Sequence, residues 1–175
     1  MRRLLQSFLG REDGTGTVEF VILFPLILWP FLITMEASFI QMRQAMLDRA
    51  TDIVVRDLRL GTPELRDPET LKAALCDRIL IMPDCRTDLM LAMEPQVIGD
   101  FAPPDGRVRC VDRTEEIAPA TNFQVGGTNE MMMLRFCVLH DPILPNIGLG
   151  KILPREPGGG FALVSATFFV VEPTE

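Results

Sequence analysis

Val18-Glu19-Phe20-Val21-Ile22-Leu23-Phe24-Pro25 opens an apolar run that continues to Ile40. The run holds 40−18+1 = 23 residues. As an α-helix it would be about 35 Å long at roughly 1.5 Å per residue, enough to cross a bilayer core. Glu19 and Glu36 bound a charge-free centre of 16 residues, Phe20 to Met35, slightly short of the roughly 20 that a span usually needs. Before the run comes a basic leader, MRRLLQSFLGREDG, in which Arg2, Arg3 and Arg11 outweigh Glu12 and Asp13 by 3−2 = +1. Beyond it, Arg43 and Arg49 are balanced by Asp48 and Asp52. That asymmetry predicts a cytoplasmic N-terminus, with residues after about 40 on the far side.

Two other readings compete for the run. A buried core helix fits badly, because so continuous an apolar helix beside a basic leader is unlike a soluble domain of this size. A cleaved secretory signal fits badly too. The acidic pair Glu12–Asp13 precedes the run, Pro25 and Pro30 interrupt it, and Thr34-Met35-Glu36-Ala37-Ser38 offers no pair of small residues spaced for cleavage. The prolines remove backbone donors and predict a kink or local opening.

Composition narrows the function classes. The chain has 175 residues and 14 prolines, is 47% hydrophobic, and carries a net charge of −7. Its apolar content excludes intrinsic disorder, and its acidity excludes a nucleic-acid partner. One His and no Tyr remove most metal-hydrolase and His-based triad chemistry. No nucleophile motif and no phosphate-binding glycine loop are present. His140 lacks a second His for a metal site. Consecutive methionines Met131-Met132-Met133 would alternate faces of a strand, so they suit core packing better than one copper(I) ion.

Glu19 is the most telling residue. An acid near a span's end is explained in part by headgroup depth and by the helix dipole. The neighbours Gly14-Thr15-Gly16-Thr17-Val18-Glu19-Phe20 suggest more. A cut after Gly14 would make Thr15 the new N-terminus, Glu19 the fifth residue and Phe20 the sixth. This arrangement resembles the type IV pilin class, in its Flp or type IVb branch. Val18 to Pro25, followed by the second acid Glu36, resembles the TadE-like family of tight-adherence pseudopilins. The stretch from Cys137 through His140-Asp141-Pro142 to Pro145 resembles that family's strand and Pro-rich connector. Phe161 to Val171 with Glu172-Pro173 resembles its closing strand. Trp29 and Pro30 depart from the pattern, and residues 61–130 match nothing familiar.

The resemblance implies a minor pilin or pseudopilin, structural rather than catalytic and without a cofactor or metal. It would be processed by a prepilin peptidase, sit single-pass in the bacterial inner membrane with a periplasmic head, and work with other pilins and the Tad assembly platform. Glu19 would pair with a mature N-terminal amine of its own or a neighbouring chain. The alternative is a plain membrane-anchored periplasmic binding or scaffold domain of another envelope complex. A third reading, an exported enzyme, needs a constellation of polar groups that the sequence does not offer.

The organisation follows: a leader at 1–14, a long helix over 15–60 with its membrane segment at about 18–40, and an α+β head over 61–175. Past the span, Phe39, Met42, Met46, Ala50 and Ile53 predict one apolar helix face, with Asp52 and Arg56 paired at i,i+4. Gly61-Thr62-Pro63 predicts the stop. A second helix should begin at Asp67-Pro68, bury Leu71, Leu75 and Ile79, and end at Pro83. Strands are expected at Leu89 to Val97, Arg107 to Arg113, Met131 to Leu139 and Phe161 to Val171, the last central and buried on both faces. Cys76, Cys85, Cys110 and Cys137 contain no C-x-x-C pair, which disfavours zinc. In an exported head they allow three disulfide pairings. Cys76–Cys85 with Cys110–Cys137 is the expected one, and four buried thiols the alternative.

Overall fold

The computed structural model describes residues 15–60, 62–82, 84–97, 110–114 and 122–172. The chain is α+β: one long N-terminal helix packed on a small antiparallel sheet. Helix α1 spans Thr15–Arg59 and continues through Pro25 and Pro30, so the prolines do not end the helix. A short 3₁₀ helix, Pro63–Arg66, leads into α2, Pro68–Cys76. Asp67 caps α2 by accepting from the Thr70 N–H at 2.9 Å, with Pro68 at the first helical position. That hydrogen bond holds the Asp67 carboxyl below its ordinary range. Leu71, Leu75 and Ile79 are buried. The helix nevertheless stops at Cys76, well before Pro83, which lies outside the described residues. The chain turns there instead and re-enters a single helical turn, α3, Cys85–Asp88.

The sheet contains β1 (Leu89–Pro95), β2 (Met131–His140) and β3 (Phe161–Val170) in the order β1-β2-β3. A short helix, α4 (Leu149–Ile152), lies between β2 and β3. Both strand pairings are antiparallel, with Phe136 opposite Leu91 on one side and Ser165 on the other. Two of the sequence expectations are corrected here. Residues 110–113 form no strand, and residues 107–109 lie outside the described set. The central strand is β2, not β3. Along β2 nearly every residue is buried, whereas β3 alternates between buried and open positions.

Burial on both faces of β2 has two sources. Met132, Leu134, Phe136 and Val138 face the helices, together with Leu47, Val54, Leu71 and Leu75. Large side chains removed from water in this way contribute roughly 1.5–3 kcal/mol each. On the opposite face Cys137 and Leu139 pack with Met90 and Cys110. Met132 and Met133 are both buried, on opposite faces of the strand.

The helix face that meets the sheet is also corrected. Leu47, Ala50, Thr51, Val54, Val55 and Leu58 are buried, while Phe39, Met42 and Ile53 remain 37%, 42% and 38% exposed. The packed stripe is therefore rotated by about one residue from the expected one. Thr51 sits in that stripe by bonding its hydroxyl back to the Leu47 carbonyl at 2.9 Å. Asp52 and Arg56 do not pair with one another. Along the edge strand, Gln44 Nε2 donates to the Val164 carbonyl at 2.9 Å and Arg59 donates to the Phe168 carbonyl at 3.1 Å. The helix thus covers a sheet edge that would otherwise offer free backbone groups.

Candidate functional site

Residues 16–31 of α1 are all exposed. An 18-residue stretch reaches a mean hydropathy of 2.2, with none of it buried in the fold. The helix is therefore long and apolar enough to cross a membrane. Glu19 and Phe20 lie on this bare surface, and the Phe20 ring stacks on Phe24 at 5.1 Å. Glu19 makes no ion pair among the described residues. Thr15 is the first residue of the helix. Gly14, the expected cleavage position, lies outside the described residues. The carboxylate that the sequence singled out thus stands on an exposed apolar stretch of helix.

The second acid behaves differently. Glu36 is 1% exposed, although it closes the apolar run. Its Oε1 accepts from the Leu144 backbone N–H at 3.1 Å, and its Oε2 has no partner. Gly148, at φ +59°, lies over the same spot, where a Cβ would come within 2.9 Å of Ile33 Cγ1. Only a residue without a side chain fits both that backbone shape and that approach. The head thus meets the helix from Ile33 and Glu36 onward, inside the apolar run that ends at Ile40.

Two turns further along the same face, the Arg43 guanidinium contacts the His140 ring. The ring also meets the Phe161 ring edge-on at 5.0 Å. Burial, and then the charge of Arg43, push the His140 pKa down to about 4. Beside this pair, Arg113 clamps Asp88 and donates to both oxygens of Asp141 at 2.9 Å. The two carboxylates hold its guanidinium firmly protonated, above its ordinary range. These side chains line a shallow cleft of about 170 Å³ that also touches Met82 and Cys85. Arg43, His140, Asp88, Arg113 and Asp141 are engaged with one another there, and Asp84 also lines the cleft. Among the described residues, no three His, Cys, Asp or Glu side chains converge as metal ligands would.

The cysteines pair as expected. Cys76–Cys85 spans 5.7 Å between Cα atoms and joins the end of α2 to the start of α3. Cys110–Cys137 spans 5.3 Å and pins segment 110–114 across the second face of β2. Both separations suit a disulfide. Sequence reasoning missed Arg43, Asp88 and Arg113. Their partners lie 97, 25 and 28 residues away, and no periodicity links such positions.

Comparison with known proteins brought no match: no family model, no curated protein and no solved structure is similar to this chain.

Proposed function

We propose that this chain is a membrane-anchored structural subunit of the TadE-like kind, a minor pilin or pseudopilin that supports assembly of tight-adherence pili. One observation carries the reading. The exposed apolar surface of α1 does not stop where a bilayer would stop. Phe31, Met35, Phe39 and Met42 line an open groove of about 390 Å³ that continues beside the head. A plain anchor has no use for apolar surface above the membrane, because exposing it to water is unfavourable. A subunit that packs its helix against those of neighbouring subunits does.

In this reading the precursor is cut after Gly14 by a prepilin peptidase. Glu19 then meets the new amine of Thr15 or of a neighbour, and the oxidised head stands in the periplasm. The polar cleft at His140 braces the head and performs no chemistry. The leader separates this proposal from a plain periplasmic scaffold on a helix, which needs no processing. Mass spectrometry of membrane-extracted protein, from a host with an active prepilin peptidase, should find a mature chain of 175−14 = 161 residues beginning at Thr15. Gly14→Leu should abolish the cut. An intact leader in the wild-type protein would remove the pilin reading and leave the anchor.

A further inference from the structure

We propose that the connector 142–153 is a foot that seats the head on the lipid surface, with Ile143, Ile147 and Ile152 entering the headgroup layer. The proposal rests on the reading of α1 as a membrane span. Its basis is the height of this loop along the helix. Three sets of contacts order the head on α1. The connector meets Ile33 and Glu36, through Gly148 and the Leu144 N–H. His140 meets Arg43, and β3 meets Gln44 and then Arg59. The connector is therefore the end of the described head nearest the bare stretch of the helix, 16–31. From Gly16 to Glu36 the helix advances 36−16 = 20 residues, about 30 Å. That matches the roughly 30 Å hydrocarbon core, so the loop lies at the far membrane surface.

The loop is built rather than slack. A Cβ on Gly150 would lie 2.4 Å from the Leu144 carbonyl oxygen. Arg155 donates to the Gly150 carbonyl at 3.0 Å and also to that of Pro145. Leu153 packs on the main core. With its backbone held in this way, the loop still leaves Ile143, Ile147 and Ile152 exposed by 47%, 47% and 78%. Lys151 is exposed between them, and a long-stemmed cation suits lipid phosphate. The occupant is lipid rather than another protein, because the connector docks at Ile33 and Glu36, directly beyond the bare stretch of helix and about 30 Å along it from Gly16, at the level where the bilayer would end.

Bromolipid quenching tests the idea on the full chain in liposomes. Trp29 is the only tryptophan and reports the span. Ile147→Trp in a Trp29→Phe background reports the foot. Leu80→Trp in the same background reports the far end, since Leu80 is 89% exposed and the nearby Arg78 bonds Asp57 at 3.2 Å. We expect lipids brominated deep in the acyl chain to quench Trp29, and lipids brominated near the headgroup to quench Ile147→Trp, with Leu80→Trp unaffected. Ile152→Trp provides a second probe at the most exposed position if Ile147→Trp does not fold. Quenched Trp29 with unquenched foot probes overturns the foot and leaves the span. Unquenched Trp29 overturns the span and the foot together.

Discussion

His140 shows how burial beside a cation keeps an imidazole neutral. Its ring is wedged between the Arg43 guanidinium and the edge of Phe161. Burial is the main cause of its lowered pKa, and the cation adds to it. The unfolded chain would take up a proton near the ordinary 6.5, and the folded chain only near 4. Between those values the unfolded state binds more protons, so stability falls as pH drops from about 6.5 toward 4. Above 6.5 the group is neutral in both states and contributes no slope. His140→Gln should remove this dependence. The difference between wild type and variant in urea unfolding should therefore shrink from pH 7.5 to pH 5 and stay flat above 7. An equal difference at both pH values would show that the ring is not held neutral.

Among the elements, the junction of α1 with the connector depends on one buried carboxylate. Glu36 satisfies the Leu144 N–H, while its other oxygen lacks a partner. Glu36→Gln keeps an acceptor of the same length and should leave the loop docked. Glu36→Leu leaves a backbone donor unpaired, which costs on the order of 1–3 kcal/mol. Amide exchange at Leu144 should accelerate in the leucine variant and not in the glutamine variant. Equal exchange in both would mean that packing at Ile33 and Gly148 holds the loop without Glu36. The other polar ties, Gln44 and Arg59 to the β3 carbonyls, act along an edge strand and do not depend on this one.

For the whole molecule, segment 110–114 packs on the second sheet face among the described residues. Cys110–Cys137 ties that segment down, and Arg113 reinforces it through Asp88 and Asp141. Cys76–Cys85 encloses a shorter loop, with a sequence separation of 9 against 27. Reduction should destabilise the head by roughly 2–4 kcal/mol per bridge. The longer loop should account for the larger share, because its closure removes more freedom from the unfolded chain. Cys110→Ala/Cys137→Ala should therefore lower the urea midpoint in detergent more than Cys76→Ala/Cys85→Ala. Alkylation of all four cysteines in unreduced, denatured protein would show that neither bridge forms.

The amino-acid sequence determined by itself the features that depend on local order. The apolar run of α1, the Asp67-Pro68 cap, the stop near Pro63 and three of the four strands follow from periodicity and from the chemistry of Pro, Gly and Asp. The disulfide pairing was one of three possibilities, and the proximity of the paired segments chose it. Tertiary structure alone decided the rest. Both β2 and β3 are rich in apolar residues, and only the addition of a strand on each side made β2 central. The packed face of α1 was disguised because Arg43, Gln44 and Thr51 lie on it. Their polar groups are satisfied by His140, the Val164 carbonyl and the helix's own backbone. A hydrophobicity pattern counts such residues as outward, since it sees no partner. Glu36 was hidden for the same reason. A carboxylate at the end of an apolar run suggests the membrane boundary, and only the folded connector, arriving 108 residues later, turns it into a buried acceptor.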